Sequence, residues 1–266
     1  MTTNSYAVRQ FTVRHEGVTI PVSRGGQGRT LVLCPGLTSS QGELHELIDL
    51  LRRDFEVVSF DLRGHGLSSA ADRYSFEAFL GDLGAVLAEL GRSESPPVLA
   101  GHSYGADLIV HYAAAHPDAV AELMLIDGAN PLPEPFITEA DLPEFQAMWE
   151  SLAPWHETNK GTPRQMLLTP TQILELNVEL DGIRAGLLDQ YRKIECAISM
   201  IMASAMAGDS AERRTPRHNQ LWREGMNRLI QEQPHIRAHW LEASHGLVVT
   251  HAADVARIIR AQSVNN

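Results

Sequence analysis

This sequence contains little cysteine and has no excess of basic charge. Its 266 residues include only two cysteines, Cys34 and Cys196, which lie far apart and form no CxxC pair. This count excludes a disulfide framework, indicates a reducing compartment and leaves no ligand spacing typical of a structural zinc site. Lysine and arginine total 22 against 33 acidic residues, a net charge of −11. The chain therefore lacks the basic surface that nucleic acids or anionic membranes would require, and we expect neither partner.

Long hydrophobic runs are also missing. The longest weakly polar run covers residues 196–208, which is shorter than the ~20 residues of a membrane-spanning helix. Residues 1–10 contain one arginine and no apolar stretch of the kind found in a secretory signal peptide. These absences predict a cytoplasmic protein with no membrane segment. No internal repeat or low-complexity tract is visible, which excludes solenoid architectures.

What the sequence does contain is a regular alternation of strand and helix patterns. A hairpin is predicted over residues 10–22, followed by a turn at the glycine cluster 24–28. Helical patterns at 43–53, 75–90 and 106–116 then separate buried strand patterns at 31–33, 55–60, 97–100 and 122–126. Continuous apolar strands that alternate with helices predict an α/β protein with a mostly parallel central sheet, flanked by helices on both faces.

The alternation is interrupted once, near Asp127. Residues 129–195 begin with a proline-rich stretch and continue as helical patterns rich in Trp, Met and Leu. The sheet pattern then resumes with strands at 197–203 and 236–242 and with helices at 216–231 and 252–261. We interpret 129–195 as a helical lid inserted into a single core domain, which consists of residues 1–128 and 196–266.

The lid carries the candidate substrate contacts. Among its aromatic residues, Phe136, Trp149 and Trp155 are candidates to cover the cleft, although part of this aromatic set must form the core of the lid itself. The lid has five basic and eleven acidic side chains, a net charge of −6. This charge favours neutral, apolar substrates over anionic ones.

The string that carries chemistry is GHSYG, residues 101–105. It matches G-x-S-x-G, directly follows the strand pattern 97–100 and opens the helix pattern 106–116, which is the context that this motif requires. A strand that turns straight into a helix holds its middle residue in a strained conformation. Glycines at 101 and 105 leave room for the strand and the helix to pack. Ser103 is thereby predicted to stand above the sheet as a nucleophile.

Four strings together resemble the α/β-hydrolase family. They are LCPGLT at 33–38, DLRGHGLS at 61–68, the serine motif at 101–105 and ASHG at 243–246. One departure is Pro35, which stands where most members carry a histidine. The resemblance implies an oxyanion hole made by the backbone N–H groups of Leu37 and Tyr104. A serine nucleophile disfavours the epoxide hydrolases and dehalogenases of the same fold, which use aspartate.

A serine nucleophile needs a histidine base. His245 is the best candidate because it follows the strand pattern 236–242, whose carboxyl end meets that of the Ser103 strand. His239 within that strand, His251 at the start of the last helix, and His65 and His102 beside the motif turns are interpreted as structural.

Two aspartates are candidates for the residue that orients His245. Asp127 ends the strand 122–126 and Asp209 follows the strand 197–203. Both preserve the chain order Ser, Asp, His, and the family uses both positions. We favour Asp127 because it stands directly at a strand end, whereas Asp209 lies beyond the small residues 204–208.

The sequence thus predicts a serine hydrolase that cleaves a carboxylic ester, lactone or related acyl bond of a small, fairly apolar molecule. The reaction would pass through an acyl-enzyme on Ser103, with no metal or organic cofactor. The same triad could instead serve carbon–carbon bond hydrolysis or cofactor-free perhydrolysis. A ligand-binding member of the fold without activity is the alternative of another class. A small-molecule acyl substrate is the expected partner, and the oligomeric state is left open.

Overall fold

The chain folds around one large β-sheet. A computed structural model describes residues 7–91, 95–210 and 214–264, so six residues of the amino-terminal stretch considered above lie outside the described part. The strands within the described ranges are β1 (Arg9–His15), β2 (Val18–Gly26), β3 (Arg29–Cys34), β4 (Phe55–Phe60), β5 (Val98–His102), β6 (Glu122–Ile126), β7 (Ala197–Ala203) and β8 (Arg237–Leu241). The α-helices there are α1 (His45–Leu51), α2 (Phe76–Glu89), α3 (Tyr104–Ala115), α4 (Leu142–Glu150), α5 (Ala153–Asn159), α6 (Pro170–Arg184), α7 (Leu187–Tyr191), α8 (Arg214–Glu232), α9 (Leu247–Thr250) and α10 (Ala252–Val264).

The sheet is mostly parallel, as the sequence predicts. Its strand order is β1-β2-β4-β3-β5-β6-β7-β8. β2 pairs antiparallel with both β1 and β4, and all the pairs from β4 through β3 to β8 are parallel. Every residue of β5 and β6 is buried, as expected for central strands covered on both faces. The carboxyl ends of β5, β6, β7 and β8 therefore lie along one edge of the sheet.

Helices cover the sheet in two groups. α1 packs against α10, and α2 packs against α3. α2 shows why these segments are helical: the Ser75 hydroxyl caps its first turn by accepting from the Ala78 backbone N–H at 3.2 Å, and Phe79 and Leu83 bury one apolar stripe. None of the helices in the described ranges has both the length and the hydropathy needed to cross a membrane.

The predicted element boundaries hold for the central strands and shift at the ends of others. The strands predicted at 55–60, 122–126 and 197–203 have the same bounds in the structure. The turn predicted at 24–28 starts too early, because β2 continues to Gly26 by pairing with β4, where Gly26 lies opposite Glu56. The helix predicted from residue 106 already begins at Tyr104, directly after the nucleophile position.

The segment between β6 and β7 is helical and is tied to the sheet layers by buried polar contacts. It contains α4 to α7, and α6 begins with a capping box between Thr169 and Gln172. At the other end of α6, Arg184 donates from Nε and Nη2 to the two carboxylate oxygens of Asp107 on α3, at 3.0 and 2.6 Å. Both side chains are buried, so the end of α6 is fixed against the helix that follows the nucleophile.

Candidate active site

Ser103 sits on a sharp turn between β5 and α3. Its φ of 51° and ψ of −121° place a non-glycine residue in a sparsely populated backbone region, a strain of about 1–3 kcal/mol that the surrounding structure must hold. The Ser103 backbone N–H donates to the Ile126 carbonyl at 2.9 Å. A Cβ at Gly101 would lie 2.5 Å from the Gly105 carbonyl oxygen, so the turn has no room for a side chain there. The strained turn that the sequence motif predicts is therefore present.

The structure brings Ser103, His245 and Asp127 together. His245 Nε2 lies 2.7 Å from Ser103 Oγ, and His245 Nδ1 lies 2.7 Å from Asp127 Oδ2. An ionised carboxylate can only accept, so the Nδ1–H of His245 donates to Asp127 and Nε2 is left to accept from the serine hydroxyl. This is the arrangement in which an imidazole can remove a proton from serine.

Asp127 rather than Asp209 contacts His245. The Asp127 side chain is fully buried directly after β6, and its second oxygen, Oδ1, accepts from the Ala203 backbone N–H at 3.0 Å and from Trp222 Nε1 at 2.8 Å. Asp209 is exposed beyond the end of β7, and the structure gives it no contact with His245. The geometry therefore distinguishes between the two aspartates, a choice that chain order leaves open.

The two predicted oxyanion donors lie beside Ser103. Tyr104 is the first residue of α3, so its backbone N–H has no intrahelical acceptor. Leu37 lies in the loop after β3, and a Cβ on the adjacent Gly36 would come within 3.2 Å of the Ser103 Cβ. Leu37 and Tyr104 both line the cavity into which Ser103 opens. Both residues thus border the nucleophile, and donation by their N–H groups to a negative oxygen stays a prediction.

His65 fixes the loop that carries Leu37. The His65 Nδ1–H donates to the Arg63 carbonyl at 2.8 Å, and its Nε2 accepts from the Thr38 backbone N–H at 3.1 Å. Thr38 has a φ of 71°, which the histidine helps to maintain. Burial lowers the pKa of His65 to about 4, so the ring stays neutral and can accept. His65 is therefore structural, as the sequence analysis interprets it, and its two hydrogen bonds hold the loop that carries Leu37.

Burial of neutral His65 predicts a loss of stability in acid. Its pKa is about 4 in the folded state against 6.5 for the ordinary group. The unfolded state therefore binds more protons, and the free energy of unfolding should decrease as the pH falls from about 6.5 to 4, by about 3 kcal/mol from this group. Urea unfolding at several pH values measures the decrease. His65→Gln should show a shallower pH dependence than wild type, and equal slopes would contradict the prediction.

His102 contacts the loop that carries His245. Its Nε2 lies 3.0 Å from the His245 backbone carbonyl, and the two imidazole rings are 5.0 Å apart. Burial lowers the pKa of His102 to about 3. The neutral ring therefore donates to the His245 carbonyl without placing a second positive charge beside the base.

A family model described as alpha/beta hydrolase fold matches residues 29–164, just over half of the chain. The chain belongs to the α/β-hydrolase fold family. Mouse protein ABHD8 is 38% identical over 84 residues, which are 30% of this chain and 19% of ABHD8. Lipase LipV of Mycobacterium tuberculosis is 36% identical over 104 residues, 39% of this chain and 38% of the lipase. The matches thus span well under half of these relatives' lengths.

A solved structure shows the same fold over nearly the whole length. It is a carboxylesterase structure from Nitrososphaera gargenis, with a TM-score of 0.73, 18% identity, and coverage of 96% of this chain and 98% of that one. At this identity the likeness concerns the fold alone.

In this member of the α/β-hydrolase fold family, Ser103 and His245 open into a cavity of about 490 Å³. Phe136 and Trp149, two of the three predicted substrate contacts, line it, whereas Trp155 is not among the lining residues. The apolar lining consists of Leu37, Phe136, Ile137, Phe145, Met148, Trp149, Leu180, Met206, Ala207 and Trp222. The helical segment therefore supplies much of the cavity lining.

The two arginines of the cavity are each paired with a carboxylate. Arg184 is paired with buried Asp107, and Asp181 accepts from the Ile137 backbone N–H at 2.7 Å. Arg214 Nε lies 3.2 Å from a Glu144 carboxylate oxygen, and its guanidinium carbon lies 4.4 Å above the Phe145 ring. His218 stacks on Phe136, and burial lowers its pKa to about 4, so it is neutral at pH 7. The cavity thus offers a predominantly apolar surface, and among the described residues Arg214 Nη1 is a buried nitrogen in its wall without a hydrogen-bond partner.

Two residues near the site have no signal in the sequence. Trp222 contacts Asp127 from α8, 95 positions away along the chain, and Arg184 reaches Asp107 from α6, 77 positions away. Neither residue lies in a motif, and periodicity alone assigns each only to a helix. Such partners become visible only when the helices are packed.

Proposed function

We propose that this chain is a serine hydrolase that cleaves a carboxylic ester, lactone or related acyl bond of a small, fairly apolar substrate. The observation that carries the proposal is the continuous chain of hydrogen bonds from Ser103 through His245 to buried Asp127, each 2.7 Å long. The similarity of part of the chain to a lipase supports an ester-type bond. Residues 129–195 would serve as the lid of the cavity.

In the proposed mechanism, Ser103 Oγ attacks the substrate carbonyl while His245 Nε2 takes its proton. Asp127 stabilises the imidazolium that forms, and the Leu37 and Tyr104 N–H groups donate to the negative oxygen of the tetrahedral intermediate. His245 then gives the proton to the departing alcohol, which leaves an acyl group on Ser103. A water molecule, deprotonated by the same histidine, hydrolyses the acyl-enzyme.

A panel of chromogenic esters and lactones of graded size tests the proposal. We expect turnover that saturates with substrate and is strongest for acyl groups that fit a cavity of about 490 Å³. A serine-reactive phosphonate should label Ser103 in a one-to-one ratio. If no acyl substrate is turned over and ligands nevertheless bind tightly and saturably, the protein is a binding member of the fold instead.

The charge balance of the cavity predicts a preference for neutral substrates. Arg184 and Arg214 are already paired with carboxylates, so a substrate carboxylate would lose its hydration and would have to compete with Asp107 and Glu144 for these two cations. We expect kcat/KM for a neutral ester to exceed that for a carboxylate-bearing ester of equal size by at least about tenfold at low salt. The ratio should narrow at high salt because the net acidic surface is then screened. A preference for the anionic ester would contradict this prediction.

A further inference from the structure

Trp222 contacts the buried aspartate of the proposed triad. Its indole Nε1–H donates to Asp127 Oδ1 at 2.8 Å. Trp222 is 3% exposed and Asp127 is 0% exposed, so bulk water cannot replace this hydrogen bond. The Ala203 backbone N–H donates to the same oxygen, while Oδ2 faces His245. The two oxygens of Asp127 therefore have separate partners.

The indole is itself held from two sides. The Arg184 guanidinium carbon lies 5.5 Å from the centre of the Trp222 ring, and Arg184 is fixed by its paired contacts with Asp107. The Trp222 backbone carbonyl accepts from Asn130 Nδ2 at 2.6 Å. A cation over the ring and a hydrogen bond to the backbone together restrict both the side chain and its helix. The Nε1–H is thus presented to Asp127 in a fixed direction.

A carboxylate with one fixed donor would be less well oriented. Rotation about the Cβ–Cγ bond of aspartate is soft and roughly two-fold. With both Ala203 and Trp222 donating to Oδ1, rotation away from the observed orientation breaks two hydrogen bonds in a buried site. The pair of donors therefore keeps Oδ2 directed at His245 Nδ1.

We infer that Trp222 is a positioning residue of the triad, whose indole N–H orients the Asp127 carboxylate and weakens its basicity toward His245. The inference rests on the proposed function, since it assigns Trp222 a part in the same proton transfer. Simple core packing is the competing explanation for a buried tryptophan. The positioning role and core packing predict different effects when only the indole N–H is lost. A positioning role predicts a changed pH dependence of the reaction, whereas core packing predicts none.

The decisive variant is Trp222→Phe, which removes the N–H donor and keeps an aromatic ring beneath Arg184. We expect kcat/KM for a chromogenic ester to decrease about 3- to 10-fold, the effect of one buried hydrogen bond. The acid limb of the pH profile of kcat/KM should also move to higher pH. With one donor fewer, the carboxylate carries more charge toward His245 and stabilises the imidazolium more strongly.

Trp240→Phe is the matched control, because it makes the same substitution at an exposed position on β8. It should leave both kcat/KM and the acid limb unchanged. A folded Trp222→Phe protein with wild-type kcat/KM and an unmoved acid limb would overturn the inference and leave packing as the role of Trp222.

A second measurement needs no variant. When a phosphonate occupies Ser103, the hydrogen bond between Ser103 and His245 is lost, and we expect the proton NMR resonance of the Trp222 indole N–H to shift because the change at His245 is passed on through the Asp127 carboxylate. The Trp240 indole resonance should stay in place. An unmoved Trp222 resonance would overturn the inference.

If the protein turns over no ester, the pH dependence of the phosphonylation rate replaces kcat/KM. Absence of both turnover and labelling would refute the proposed function itself, and with it the proton transfer that Trp222 is inferred to assist.

Discussion

Ser103→Ala is expected to abolish both phosphonate labelling and ester hydrolysis, with kcat lower by about 10⁶-fold. The reason is that no other hydroxyl occupies the position 2.7 Å from His245 Nε2, so no covalent intermediate can form. Alanine has the same Cβ as serine, so it adds no strain to the backbone at φ 51°. The variant should therefore fold as wild type does. Turnover of a chromogenic ester and mass spectrometry of the labelled protein measure the two losses.

The control for this substitution is Ser204→Ala, which removes a hydroxyl that contacts Glu242 at 3.2 Å on the far side of β7 from Ser103. It should retain wild-type labelling and turnover. If Ser103→Ala keeps its activity while folded, Ser103 is not the nucleophile.

The second large effect is expected at Asp127. Asp127→Asn should lower kcat by about 10⁴-fold without unfolding the protein. Two fixed donors, the Ala203 N–H and Trp222 Nε1–H, face Oδ1, so the asparagine must turn its oxygen toward them and its NH₂ toward His245. His245 Nδ1 must then accept rather than donate, which moves the imidazole proton to Nε2. The nitrogen that should take the Ser103 proton is already protonated, and the base is lost.

Asp209→Asn is the comparison, because it makes the same change at an exposed residue that chain order alone also allows as the acid. Its kcat should stay within about twofold of wild type, as is usual for surface substitutions. Circular dichroism should show both variants folded. The reverse pattern of rates would assign the role to Asp209 and leave Asp127 as a structural residue at the end of β6.

Much of the fold could be predicted because its signals are local. The strands at 55–60, 122–126 and 197–203 are continuous apolar runs, and burial on both faces in a parallel sheet demands such runs. The strained turn at Ser103 could be predicted for the same reason, since its glycines lie within two residues of the serine. The extension of β2 to Gly26 could not, because it depends on pairing with β4, which lies 30 residues further along the chain.

The site was predictable only in part. Phe136, Trp149 and Trp155 are all aromatic residues of the predicted lid, yet only the first two line the cavity, because the packing of the segment decides which of its side chains face the cavity. The net charge of −6 on the helical segment predicts that it repels anionic substrates. The structure adds a local reason for the same prediction, because Arg184 and Arg214 are each paired with a carboxylate.

The sequence by itself determined the sheet, the family resemblance, the candidate nucleophile and the candidate base, since each depends on neighbours within a few positions. The sequence also favoured Asp127 over Asp209, and the tertiary structure decided that Asp127 faces His245 and which groups hold that aspartate. Asp127 and Asp209 are equivalent in chain order, and their different distances from the ends of β6 and β7 favour Asp127 without showing which of them reaches the histidine. Trp222 and Ala203 reach Asp127 across 95 and 76 positions. Contacts of that range are fixed by the packing of strands and helices, and no local pattern in the sequence records them.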